Sequence, residues 1–167
     1  GPNIQQIPRK KEFRSSFIAP TNSKLVIADY SQIELRVIAE ISQDKMMIDA
    51  YKNKIDLHSL TASLISQKPI ASITKNERQA AKAVTFGLVY GMGANGLKNY
   101  AGETYGVEMK LQEAELFKKR FFEGYKGVEN WHKHMKNTLP KESRTLAGRK
   151  HIYNCQSGIS GRYNTPV

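Results

Sequence analysis

The chain has 167 residues, which suits one domain or a piece of a larger one and is long enough to bury a real core. Hydrophobic residues make up 40% and charged residues 25%, which excludes a disordered chain, and no apolar run approaches the ~18 residues of a membrane-spanning helix. The formal net charge of +11 favours a polyanionic partner; nucleic acid leads, ahead of an anionic membrane or an acidic protein, because no basic helix with a clean apolar face is evident. The blander alternative is a basic surface kept for solubility. A single cysteine, Cys155, rules out an internal disulfide and fits a reducing compartment. The N-terminal residues Gly1 to Gln6 lack the charged start and apolar stretch of a signal peptide.

Residues 1–24 read as polar and irregular, broken by Pro2, Pro8 and Pro20, with one short strand predicted over 13–19. Residues 24–29, Lys-Leu-Val-Ile-Ala-Asp, predict a buried strand that carries Asp29 at its C-terminal end. The apolar spacing of Ile33, Leu35, Val37, Ile38 and Ile41 predicts a helix over 32–41, and helices are also expected over 44–51 and 57–66. Thr74 followed three residues later by Glu77 reads as a capping box opening a helix that runs to about Tyr90 and is ended by Gly91, Gly93 and Gly96. Two further helices are predicted over 111–125 and 128–139, parted by Gly124 and Gly127, and the chain is expected to be irregular from Leu146 onward. Neither an internal repeat nor a linker marks a second domain.

Asp29 opens the first segment with chemistry, Asp29-Tyr30-Ser31-Gln32-Ile33-Glu34-Leu35-Arg36. A carboxylate leaving a strand end is held rigidly, and its oxygens suit Mg²⁺, which takes one or two carboxylates plus substrate phosphates. The backbone carbonyl of Tyr30 would add another oxygen. The same aspartate also suits the cap of the following helix, and its own chemistry leaves both readings open. The octet as a whole resembles the first motif of the family A DNA polymerases, the bacterial polymerase I group. Pro2-Asn3-Ile4-Gln5-Gln6-Ile7-Pro8 upstream and Asp56-Leu57-His58 downstream resemble the flanking segments of that family. The resemblance implies that Asp29, with Tyr30, binds the catalytic Mg²⁺ ions. It also implies that Gln32 belongs to the nucleotide site, that Glu34 crowds the sugar 2′ carbon and excludes ribonucleotides, and that His58 approaches the triphosphate.

Arg78, Lys82, Phe86 and Tyr90 recur every four residues. On a helix this spacing gives a slowly winding stripe of roughly 18 Å, cationic at one end and aromatic at the other. Phosphates suit the cations, and sugar and base suit the rings. An amphipathic helix with two extended cations and two core aromatics fits the same spacing. Arg78 to Gly91 also resembles the second family A motif, R-x3-K-x6-7-YG. That resemblance implies a fingers helix that closes over the incoming nucleotide, with Arg78 and Lys82 on its phosphates, Lys82 joining Asp29 in catalysis, Phe86 packed on the nucleotide and Tyr90 guarding the template position. A phenylalanine at position 86 implies poor use of 3′-dideoxy nucleotides.

Two other patterns compete. Gly91-Met92-Gly93-Ala94-Asn95-Gly96 matches G-x-G-x-x-G, but a helical pattern precedes it where a dinucleotide fold needs a strand, and Leu97 stands where a phosphate loop needs lysine. His132, His134, His151 and Cys155 lack the pairwise spacing of a structural zinc site. Later segments extend the family resemblance: Arg120-Phe121-Phe122, Val128 to Trp131, Thr145-Leu146-Ala147-Gly148-Arg149-Lys150, and Asn164-Thr165-Pro166-Val167. It implies that Arg149 and Lys150 touch primer–template DNA.

The fold expected from these readings is α/β: a small palm β-sheet portion with a mainly helical fingers subdomain, an incomplete polymerase fold. Residues of about 1–66 and 140–167 fall on the palm side and about 67–139 in the fingers. The activity implied is template-directed addition of a dNTP to a primer 3′-OH, with Mg²⁺, primer–template DNA and dNTP as partners and no membrane, in the cytoplasm of a bacterial or phage-infected cell or in an organelle. The family's H-D-E motif is not in the sequence. The chain alone is therefore expected to show little polymerase activity and to need the remaining segment of a split or truncated gene. A non-catalytic basic nucleic-acid-binding module is the competing class, and a dinucleotide-binding protein is the third.

Overall fold

The computed structural model describes residues 10–153 and residue 163. The segment from Pro2 to Pro8, Cys155 and the segment from Asn164 to Val167 lie outside them. The chain divides into two units, Gly1–Ser31 and Gln32–Val167.

In the first unit the described residues form one short helix, α1 (Lys11–Arg14), followed by irregular chain. Neither predicted strand forms. Residues 13–19 begin inside α1, and residues 24–29 carry no ladder, with Val26 and Ile27 more than 80% exposed. The β-branched composition of 24–29 was a sound strand signal, but a strand is stable only when a neighbour takes its backbone hydrogen bonds, and no described residue pairs with this run.

The second unit is mainly helical: α2 (Ile33–Ser42), α3 (Lys45–Lys52), α4 (Leu57–Ser66), α5 (Lys75–Val89), α6 (Ala94–Tyr105), α7 (Leu111–Gly124) and α8 (Lys126–Thr138). A small antiparallel hairpin follows, β1 (Glu142–Arg144) and β2 (Lys150–Ile152), with Ser143 opposite His151. The little sheet is therefore real but lies late in the chain, β1 just before and β2 within the stretch expected to be irregular from Leu146. Its turn depends on Gly148 at φ +83. Helix α6 was not anticipated either: Gly93 ends the preceding loop and also serves as the N-cap of α6.

Local chemistry explains the helix boundaries. Thr74 and Glu77 form the predicted capping box, Glu77 N–H to Thr74 Oγ1 at 3.2 Å and Thr74 N–H to Glu77 Oε2 at 2.9 Å. Asp56 caps α4, and Asp44 caps α3 through Met47 N–H at 3.0 Å. The buried Asp44 carboxylate also accepts from Gly127 N–H at 2.7 Å, so one side chain satisfies the starts of α3 and α8 together. A Cβ on Gly127 would stand 2.5 Å from the Asp44 backbone, so the approach requires glycine.

Helix α5 lies at the centre of the core. It packs on α4, α6 and α7, burying Ala81, Val84 and Leu88 among Leu57, Leu97 and Phe121. Gly87 lets α6 come close; a Cβ there would meet Leu97 Cδ1 at 2.9 Å. A polar thread crosses this core fully bonded: Thr85 Oγ1 reaches the Ala81 carbonyl at 2.7 Å, and Thr61 and Tyr125 hydroxyls meet at 2.9 Å.

Candidate functional site

From Ala81 to Tyr90 every residue is buried except Lys82, Phe86 and Tyr90, which keep partial exposure, as does Arg78 a turn earlier. The four-residue stripe read in the sequence is thus the open face of α5. Tyr90 itself is the C-cap residue rather than part of the last turn.

Arg78 is held at the N-terminal end of this face. Its Nε donates to Asp56 Oδ2 at 2.8 Å and its Nη2 to Asp56 Oδ1 at 2.9 Å, a two-pronged pair. Asp56 also accepts from Ser59 N–H at 2.9 Å, Ser59 Oγ at 2.7 Å and Gln32 Nε2 at 3.4 Å. Burial works to raise the Asp56 carboxyl, but the hydrogen bonds from Arg78 and Ser59 outweigh it and hold it well below the ordinary carboxylate range. Gln32 takes a left-handed N-cap conformation at φ 53 and accepts from the Tyr51 hydroxyl at 3.2 Å. Burial pushes that phenol up to about 12, while the Arg36 guanidinium lies 4.3 Å over the Tyr51 ring.

His58 occupies the second position of α4 and is 4% exposed. Its ring centroid lies 5.8 Å from that of Phe86, tilted by 45°. Burial, reinforced by the charges of Arg78 and Lys82 and opposed by Asp56, drives its pKa down to about 4, so the imidazole is neutral at pH 7. Its Nδ1 has no hydrogen-bond partner among the described residues. Lys82 forms no ion pair among the described residues. At the other end of the face the Tyr90 hydroxyl donates to Glu34 Oε2 at 3.1 Å. Burial first, then the Glu34 charge, pushes that phenol well above its ordinary value.

The second unit therefore brings Gln32, Glu34, His58, Arg78, Lys82, Phe86 and Tyr90 to the surroundings of one helix face. Asp29 and Tyr30 close the irregular run of the first unit, both exposed. Arg149 and Lys150 belong to the hairpin: Arg149 closes its turn with Thr145, and Lys150 pairs with Glu142.

Sequence reasoning assigned no role to Asp56 or Tyr51. An aspartate directly before the apolar run at Leu57 is a helix-start signal that locates Asp56 as a cap, but nothing local announces its pairing with Arg78. The zinc pattern dissolves at His132, whose Nε2 meets the Val89 carbonyl at 2.8 Å and whose ring stacks on Tyr163 at 4.2 Å. Residues 86–89 are helical, so the glycine run after them does not follow a strand as a dinucleotide motif requires.

The open face of α5 thus runs from cations, which suit phosphate, to aromatic rings, which suit a planar ring, with a neutral buried imidazole beside it. The model of DNA polymerase family A matches residues 1–161, so the chain belongs to that family. It is 45% identical over 153 residues to DNA polymerase I of Aquifex aeolicus, covering 89% of this chain and 26% of that one. It is 40% identical over 131 residues to DNA polymerase I of Pseudomonas aeruginosa, covering 76% and 14%. Among solved structures it matches the polymerase domain of Pol1 from M. smegmatis in complex with DNA primer-template and dNTP, at a TM-score of 0.80 and 28% identity, over 99% of this chain and 31% of that one. The chain spans about a quarter or less of the length of these curated relatives.

Proposed function

We propose that this chain is the nucleotide-binding part of a DNA-directed DNA polymerase that adds a dNTP to a primer 3′-OH as a template directs. The 3′ hydroxyl gives up its proton to solvent as its oxygen bonds to the α-phosphorus, the bond from that phosphorus to its bridging oxygen breaks, and pyrophosphate leaves. The observation that carries this reading is the open face of α5, where Lys82, Phe86 and Tyr90 stay accessible while every residue between them is buried. Phosphoryl transfer asks mainly for charge neutralisation and positioning, and this face offers both. Lys82 and Arg78 neutralise and orient the phosphates. Neutral His58 adds a hydrogen bond there without adding charge. Phe86 packs on the nucleoside, and Glu34, tied to Tyr90, stands against the sugar 2′ position, with Gln32 bracing the site from the start of α2. The M. smegmatis polymerase domain is in complex with primer-template and dNTP, which supports DNA and dNTP as the ligands.

Mg²⁺ fits the donors at Asp29 and Tyr30, an exposed carboxylate and a backbone carbonyl, both hard oxygens. Asp29 and Tyr30 are the protein ligands assigned here, and substrate phosphate would add further oxygens. When bound there the ion neutralises phosphate charge and lowers the barrier to attack at the α-phosphorus. Arg149 and Lys150, both exposed in the hairpin region, are assigned to backbone phosphates of primer–template. In this reading about 67–139 forms fingers and about 1–66 with 140–167 the palm side, the remaining polymerase segment is a partner, and the setting is the cytoplasm.

Titration of the chain with dNTP tests the proposal. Binding should require Mg²⁺ and weaken in Lys82→Ala. Salt-sensitive DNA binding with no nucleotide binding at any Mg²⁺ concentration would replace this reading with that of a basic nucleic-acid-binding module.

A further inference from the structure

We propose that Asp56 is a positioning residue for nucleotide binding: it grips one edge of the Arg78 guanidinium so that the other edge is presented to the triphosphate. The inference rests on the nucleotide-binding reading above and names a residue that the site motifs leave without a role.

A guanidinium carries five N–H groups in a rigid plane, and Asp56 uses one on Nε and one on Nη2, which leaves three. Nη1 has no partner among the described residues, and the Arg78 side chain is 38% exposed, so the open edge is reachable from solvent. Asp56 is itself anchored. It caps α4, it is bonded by both the backbone and the hydroxyl of Ser59, and Gln32 reaches it from the start of α2. Gln32 in turn is held by Tyr51 of α3. An arginine on α5 is thus clamped by groups fixed on three other helices. Lys82, one turn on, has no such clamp.

Electrostatics and positioning predict opposite signs here. As a bare charge, Asp56 repels a triphosphate, and its removal should tighten binding. As a clamp, it spares the ligand the ordering of a flexible side chain, and its removal should weaken binding. The two-pronged geometry with a fixed anchor favours the second.

The experiment titrates the chain with dATP and with dAMP, each with Mg²⁺. Asp56→Asn keeps a helix-capping oxygen but loses the charged grip; Asp56→Glu keeps the charge but displaces it by one methylene. Each should lower the preference for dATP over dAMP by roughly tenfold, the scale of one charge-assisted hydrogen bond. Arg78→Lys should remove the effect, so that Asp56→Asn in that background changes the preference no further. Leu88→Ala, in the buried face of α5 and outside this clamp, should lower the melting temperature while keeping the preference. A general folding defect lowers both ligands together and leaves the ratio intact. An unchanged or increased ratio in both Asp56 variants overturns the clamp while the nucleotide reading stands. A wild-type chain that ignores dATP in the presence of Mg²⁺ overturns both.

Discussion

His58 and His132 both pack against α5, both are almost fully buried, and burial drives both down to about 4. They differ in what their ring nitrogens do. His132 Nε2 is spent on the Val89 carbonyl and its ring on Tyr163, whereas His58 Nδ1 has no partner among the described residues and its ring faces Phe86 on the open side of the helix. A depressed pKa therefore reports burial, which the two share. Hydrogen bonding is what separates them: His132 fastens the end of α5 through Val89, whereas the buried Nδ1 of His58 makes no such bond. The same contrast runs along α5, between Thr85, bonded within the core, and Lys82, open to solvent.

The comparison can be broken first at the buried face. Leu88→Ala should destabilise the chain by about 2–5 kcal/mol, the usual cost of truncating a fully buried leucine, seen as a lower denaturation midpoint. Nucleotide affinity measured well below that midpoint should stay the same. On the open face, Lys82→Ala should do the reverse: a loss of roughly 1.5–3 kcal/mol in dNTP binding, by analogy with hydrogen bonds to charged groups, with little change in melting. The two histidines sharpen the contrast. His132→Phe keeps a ring for Tyr163 but leaves the Val89 carbonyl without its donor, and should cost about 1–3 kcal/mol of stability with nucleotide binding intact. His58→Phe should spare stability and weaken dNTP binding. A stability loss confined to His58→Phe would invert the assignment.

Acid provides the smallest and broadest test. Both histidines have folded pKa values of about 4 against an ordinary 6.5, so between these values the unfolded chain binds more protons than the folded one. Their contribution to stability is complete above pH 6.5, declines as pH falls toward 4 and levels off below it. Melting temperature followed across that window should fall on acidification, and the double variant His58→Phe/His132→Phe should flatten the slope. A wild-type profile with no slope there would contradict the burial that both histidines share.

Much of this was legible in the residues. Thr74 with Glu77 located the start of α5 correctly, and the four-residue spacing picked out the face that stays open. The strand predicted at 24–29 failed because apolar, β-branched composition specifies only a suitability for pairing, and the partner must come from elsewhere. The late hairpin escaped notice for the complementary reason. Its strands are only three residues long and largely exposed, so they show no apolar alternation. Helix α6 was hidden by glycines read as helix-ending, although Gly93 begins a helix as well as following one.

By itself the sequence determined the features that depend on neighbours within a turn or two: the α5 capping box, the extents of α2 to α5, α7 and α8 to within about two residues, and the order of cations and rings along α5. Only the tertiary structure decided which of those groups are already occupied. Arg78 meets Asp56 across 22 positions, His132 meets Val89 across 43, and Tyr90 meets Glu34 across 56. Such partners are chosen by how helices pack, and local periodicity carries no record of that choice.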